Sequence, residues 1–391
     1  MVGNWRCDSY GSSHTPAATS ASAAGTASRA RGQLGTASVI DRETIANQSA
    51  ASLAGVLELV PGVPLQPPGL DAVQQFSIRS LPTSPAAGLT AGGPSAADFA
   101  SFGTLIVLDG VPVSNNANLQ ASGPRGELQA LIPSSAGGGV DLRRIPATTL
   151  ERVEVVRGIP SARYGDLTQG VIVVDTRAGV VPPAAVGRVD AQTMEGSLVA
   201  GRALGLTHTV TATADVAHTL IRPAIADDDA YRLTVQLAHR AAVGGPRDGP
   251  GGAARLTLDS HADFYQVQQD NPERPDVLPG QASSNHDRGL RLAERARLLV
   301  GARSTVTLTT ALDYTRQRST AQLLRLRGGT PFTDRVDSGR AVGHFVIGQY
   351  LSQLRLEGAA WQLYSRLESE TPARWLGLDH RLLAGAELRR E

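Results

Sequence analysis

From about residue 187 to its C-terminus the chain alternates apolar and polar residues, segment after segment, and this constrains its fold more than any other feature. In 209–216, Val210, Ala212, Ala214 and Val216 oppose Thr209, Thr211, Thr213 and Asp215. Tyr231, Leu233, Val235 and Leu237 oppose Arg232, Thr234 and Gln236. Leu256, Leu258, Ala262 and Phe264 oppose Arg255, Thr257, Asp259, His261 and Asp263. The same rule holds for Val306, Leu308, Leu312 and Tyr314 against Thr305, Thr307 and Asp313, and for Trp361, Leu363 and Leu367 against Gln362, Arg366 and Glu368. Successive side chains of a strand point to opposite faces, so each segment is a strand with one apolar and one polar face. The segments run for about 9 to 14 residues, where a soluble strand has about 5 to 6 and a tilted membrane-crossing strand about 9 to 11. Short connections such as Ala302-Arg303 alternate with long ones such as Gln268 to His286, the asymmetry of an outer-membrane barrel. Tyr231, Phe264, Tyr265, Tyr314, Tyr350, Tyr364 and Trp375 stand near strand ends, where an interfacial girdle would place them. The competing reading is a soluble β-sandwich with one wet face.

Composition removes several classes. Lys+Arg 37 against Asp+Glu 36 leaves a net charge of +1, and every basic residue is arginine. Without a basic excess, phosphate attraction has no source, and no nucleic-acid partner is expected. The single Cys7 excludes an internal disulfide and a cysteine-built zinc site. No run of 18 apolar residues predicts a membrane-crossing helix. Met1 to Tyr10 lacks the apolar stretch of a signal peptide, so either the chain is cytoplasmic or its true start lies upstream; the rest of the sequence favours the second.

Before the alternating region the pattern differs. Residues 11–35 are Ala, Ser, Thr and Gly without hydrophobic period, which predicts a flexible leader over 1–37. Short strands are expected at Ala37–Ile40, Phe76–Arg79, Thr104–Leu108, Val153–Val156 and Val171–Val174. A helix is expected from about Ser49 to Val60, with Leu53, Val56, Leu57 and Val60 at helical spacing and Pro61-Gly62 as its stop. Asp109-Gly110 reads as a turn, and a helical turn is expected from Pro146 to Leu150. Short strands mixed with short helices describe an α+β domain.

Four motifs in this domain, in this order, closely resemble the plug domain of TonB-dependent outer-membrane receptors. They are Ser38-Val39-Ile40-Asp41-Arg42-Glu43, Leu57-Glu58-Leu59-Val60-Pro61-Gly62-Val63, Leu105-Ile106-Val107-Leu108-Asp109-Gly110-Val111-Pro112, and the long stretch Leu150 to Asp166 that continues from Gln169 to Arg177. The residue types make physical sense on their own: Val153, Val155 and Val156 build a strand, Gly158 permits a tight exit, Tyr164-Gly165 makes a turn, and Gly170 allows close approach before the last strand. Glu151, Arg152, Glu154, Arg157 and Arg163 alternate in sign. They could pair with inward-facing wall charges such as Arg255, Asp259 or Arg291, reversibly and bidentately, or simply with one another along the strand.

The resemblance implies a plug over 38–180 and an antiparallel transmembrane β-barrel, incomplete, over 186–391. In that family the plug closes a barrel of roughly 22 strands. The resemblance implies a location in the outer membrane of a Gram-negative-type bacterium, with its lipid around the strands. It also implies an extracellular ligand, either a small molecule or an oligomer, and TonB with its inner-membrane energising complex as partner. Uptake of a scarce nutrient such as an iron chelate, vitamin or glycan would change no chemical bond and need no cofactor. The candidate ligand-facing loops are about 79–101 and 114–138, with Arg79, Asn115, Asn116, Asn118 and Gln120 as their polar candidates. At about 20 to 25 residues per strand and connection, the alternating region supplies about 8 to 10 strands. An incomplete receptor, without a recognisable TonB-contacting box before residue 38, is the resulting expectation. The alternatives are a non-transporting β-rich ligand-binding protein or a non-functional gene fragment.

No enzyme is expected, for there is no Gly-x-Ser-x-Gly elbow, no His-Glu-x-x-His and no P-loop. His208, His218, His239 and His261 lie in alternating segments and read as lumen or surface residues rather than metal ligands. Asp227-Asp228-Asp229 reads as a turn, and the spacing of Glu273, Asp276 and Asp287 points to no site.

Overall fold

The structure, a computed structural model, describes residues 36–60, 70, 104–114, 140–157, 170–221, 223, 227–244, 255–276, 279–300, 304–326, 331–332, 339–340, 342–345, 348–375 and 378–391. The leader and the strand expected at Phe76–Arg79 lie outside these residues.

The first sheet has five strands: β1 (Thr36–Asp41), β2 (Thr104–Leu108), β3 (Val111–Pro112), β4 (Leu150–Arg157) and β5 (Gly170–Thr176), in the order β1-β4-β5-β2-β3. β2 runs parallel to β5, and the other pairings are antiparallel. Two helices sit beside it, α1 (Arg42–Gln48) and α2 (Leu53–Leu57). The single helix expected from Ser49 to Val60 is therefore shorter than its period suggested, and α1 was not foreseen. Asp41 explains α1: its side chain accepts the Thr44 N–H at 2.9 Å, closing the first turn. Ser49, in the left-handed region at φ 55°, ends it. Two 3-10 turns follow at Leu142–Arg144 and Ala147–Thr149. Leu53, Val56, Leu57, Leu142, Leu150 and Ile172 pack into one core, each fully buried.

The second sheet is a nine-stranded antiparallel meander. It contains β6 (Val181–Val189), β7 (Thr193–Leu204), β8 (His208–Leu220), β9 (Asp229–Val243), β10 (Arg255–Asn271), β11 (Ala282–Val300), β12 (Ser304–Leu326), β15 (Gln349–Trp375) and β16 (Leu378–Arg390), each paired with its sequence neighbour. A two-residue pair, β13 (Pro331–Phe332) with β14 (His344–Phe345), lies in the β12–β15 connection. Several strands exceed the expected length; β12 has 23 residues and β15 has 27. The apolar alternation marks only part of each strand, and the ladder continues into polar ribbons beyond it. Connections at one end span 190–192, which is short, and 221–228, 272–281 and 327–348; at the other, 205–207, 301–303 and 376–377 are short and 244–254 is longer.

The meander has a clear inside. Thr211, Thr213, Asp215, Arg232, Thr234 and Gln236 are buried on the face toward the five-stranded domain. The opposite face exposes its apolar rank: Leu198 is 63% exposed, Leu292 46% and Leu363 45%. An exposed apolar sheet face of this extent marks a surface that meets lipid or another protein. Among the described residues no helix is long and apolar enough to cross a membrane.

Candidate functional site at the seam between domain and sheet

Arg232 of β9 is the centre of the first contact. It is 1% exposed, and its guanidinium makes five hydrogen bonds. Nε and Nη2 donate to Asp215 Oδ1 at 2.9 and 2.6 Å, and Nη2 donates to Glu195 Oε1 at 2.7 Å. Nη1 crosses the seam to the carbonyls of Ala51 at 2.8 Å and Arg143 at 3.2 Å. Register creates this cluster, because Arg232 faces Ala217 on β8 and so lies diagonal to Asp215 on the same face. The carboxylates are held in turn: Thr148 Oγ1 donates to Asp215 Oδ2 at 3.0 Å, and Arg188 Nε lies 3.1 Å from Glu195 Oε2. Arg188 also donates to the Ser49 carbonyl at 2.7 Å. Two arginines and two carboxylates balance, which removes the main objection to burying charge.

Next to it, the 3-10 turn directs two arginines outward from the domain. Arg143 is bidentate to Asp141 and donates to the Leu70 carbonyl at 2.9 Å and to Gln269 Oε1 of β10 at 2.8 Å. Arg144 donates to Tyr265 Oη at 3.0 Å and lies 5.2 Å over that ring. The Tyr265 ring lies over Gly289, its register partner on β11, where any Cβ would collide with it.

The second contact surrounds the β2–β3 turn. Asp109 at φ 51° and Gly110 at φ 86° are both left-handed, the backbone of a tight hairpin turn. Three successive carbonyls then face the sheet: Leu108 accepts from Arg291, Asp109 from Arg295, and Gly110 from Arg366 at 3.4 Å. A Cβ on Gly110 would run into the Arg295 guanidinium. The Asp109 carboxylate turns back to accept the Thr176 N–H at 2.9 Å and its hydroxyl at 3.0 Å, with His261 Nδ1 3.7 Å away. Burial alone would raise this carboxyl. The charges of His261 and Arg291 and the Thr176 N–H outweigh burial and hold it below the usual carboxylate range. Val111 packs on Ala293, Ala311 and Tyr364.

The charges singled out from the sequence have a different geometry. Glu151 is exposed, and Arg152 pairs with Glu154 at 3.2 Å along β4. Arg157 ends β4, and Gly170 opens β5 with φ 151°. Asp259 pairs with Arg240 within the sheet, and Arg291 reaches the domain through a carbonyl oxygen rather than a carboxylate. Gly158, Arg163, Tyr164, Gly165 and the loop candidates Arg79, Asn115, Asn116, Asn118 and Gln120 lie outside the described residues, as does the side chain of Arg255. The residues that meet across the seam, Arg232, Asp215, Arg143, Arg144, Arg295 and Arg366, were not singled out as such contacts. Their one signal was membership of the polar rank, or adjacency to the 3-10 turn.

The family model "TonB-dependent Receptor Plug Domain" matches residues 29–171. Residues 29–171 therefore match a plug, and the meander that follows has the fold of part of such a receptor's barrel. The fold agrees with solved receptors. A ferric-catecholate import receptor of Escherichia coli K12 superposes with TM-score 0.57 at 15% identity, covering 91% of this chain and 49% of that one. The ferric preacinetobactin receptor of Acinetobacter baumannii gives 0.55 at 11% identity, covering 91% and 46%. The ferripyoverdine receptor of Pseudomonas aeruginosa, with ferripyoverdine bound, gives 0.53 at 13% identity, covering 91% and 42%. The chain thus spans about half the length of these structures. No curated protein sequence matches the chain. By this likeness of fold, the inner face of the meander corresponds to the luminal wall of those barrels and the exposed apolar face to their outer surface. Lumen arginines seat the plug chiefly by its main-chain carbonyls.

Proposed function

We propose that this chain is the plug-bearing part of a ligand-gated, TonB-dependent outer-membrane receptor that takes up a scarce nutrient. The observation that carries this reading is the first domain held against the meander by polar contacts, with a small apolar cluster around Val111 among the described residues. A plug meant to shift must be held by bonds that can be exchanged for water, and hydrogen bonds to carbonyls meet that need. The likeness in fold to receptors for ferric catecholates, ferric preacinetobactin and ferripyoverdine favours an iron chelate over a vitamin or glycan. Transport without bond change would need ligand outside and TonB, with its inner-membrane energising complex, within.

The test is expression of the full chain, fractionation of membranes, and titration of the detergent-solubilised protein with a ferric tris-catecholate complex. Recovery in the outer-membrane fraction is expected, with saturable quenching of tryptophan fluorescence and stronger retention by the immobilised periplasmic domain of TonB when the complex is present. A monodisperse, detergent-free protein indifferent to both partners overturns the proposal.

A further inference from the structure

On the luminal face Arg291 stands between two carboxylates. Asp263 of β10 and Asp313 of β12 are its direct register partners on either side. Yet its Nη2 donates to the Leu108 carbonyl of the plug. Its contact with Asp313 is an Nε–Oδ1 separation of 3.6 Å, too long for a hydrogen bond. Among the described residues, Nε and Nη1 of Arg291 find no acceptor, and both oxygens of Asp263, which Gln236 approaches, and Oδ2 of Asp313 find no donor in hydrogen-bond geometry; all these atoms are shielded from solvent. Unmatched donors and acceptors of opposite charge thus lie side by side, a costly arrangement in any interior. The three residues border a cavity of about 310 Å³ between plug and wall.

We propose that Arg291 is a two-position arm. With the plug seated, it holds the Leu108 carbonyl. When the β2–β3 turn lifts away, the guanidinium swings onto Asp263 and Asp313 and forms the charge-assisted pairs that the register has prepared. The wall thereby offsets part of the cost of unseating the turn. This rests on the reading that the plug moves, but the arm acts equally on thermal opening, so its test needs no transport.

A simpler role for Asp263 would be to draw Arg291 into place beneath Leu108, and the two roles predict opposite signs. Val113, half-buried just after the turn, serves as reporter in a Cys7→Ser, Val113→Cys full-length protein in detergent, with maleimide labelling rate as the readout. Asp263→Asn is expected to slow labelling about tenfold, the ordinary worth of one hydrogen bond to a charged group. Asp313→Asn is expected to act in the same direction, so misfolding of one variant leaves the other to decide. In an Arg291→Gln background, Asp263→Asn is expected to change nothing further, since the coupling has been removed. Faster or unchanged labelling in both carboxylate variants, or full slowing without Arg291, overturns the arm. A chain that moves no ligand but shows these rates keeps the arm and loses the transport reading; the reverse result does the opposite.

Discussion

The two ends of the plug seam use the same donor, arginine, in opposite conditions. Around Arg232 every guanidinium N–H finds an acceptor, and its two carboxylates are held again by a hydrogen bond from Thr148 and an ion pair with Arg188, whose own Nε finds no hydrogen-bond acceptor among the described residues. Around Arg291, Nη2 reaches Leu108, while Nε, Nη1 and the facing oxygens of Asp263 and Asp313 find no hydrogen-bond partner among the described residues. A satisfied buried guanidinium rigidifies what it touches, whereas unmatched buried groups favour an arrangement that would pair them. The seam therefore has a fixed side, at Ala51, Arg143 and Thr148, and a releasable side, at the Leu108–Gly110 turn.

The strongest way to break this comparison is Arg232→Ala. It strands Asp215 and Glu195 in the interior, a change that costs about 3–5 kcal/mol. Thermal unfolding in detergent is expected to show that loss, and adding Asp215→Asn with Glu195→Gln is expected to recover much of it. An Arg232→Ala protein as stable as its parent would remove the fixed side altogether. Gly110→Ala comes next. The residue sits at φ 86° against Arg295, and a side chain there is expected to cost about 1–3 kcal/mol. Hydrogen exchange should localise the loosening to 104–113 and spare 141–149; spreading to both would mean that the two sides open as one. Asp109→Asn is a smaller, pH-dependent test, and asparagine also tolerates the left-handed turn. The native carboxyl is held below its unfolded value, so its contribution is fully present above about pH 4 and fades as pH falls through the lowered native value. The parent should therefore lose stability on acidification more steeply than the variant. Asp41→Ala, which removes the α1 cap, is the smallest. A uniform loss of about 1 kcal/mol with no change in turn exchange is expected.

Much of the fold was legible because its signals are local. Alternation marked the strands of the meander, and Val153–Val156 and Val171–Val174 fell inside β4 and β5. α1 escaped because seven residues carry too little period, and Asp41 as a cap was its one cue. The site was less legible. The alternating charges of the β4 motif drew attention because they cluster in sequence. β4, however, lies between β1 and β5 inside the domain's own sheet, where Arg152 meets Glu154 instead of the wall. Carbonyl acceptors such as Leu108 and Ala51 leave no mark in a sequence, since every residue has one.

By itself, the order of residues determined that this chain makes a small mixed domain followed by long two-faced strands, because a period of two and a turn such as Asp109-Gly110 act over a few neighbours. Tertiary structure alone decided which polar side chains meet. Arg232 reaches Ala51 across 181 residues and Arg291 reaches Leu108 across 183. Such pairings follow from strand register and from how the plug sits against the wall, and both are properties of the assembled chain.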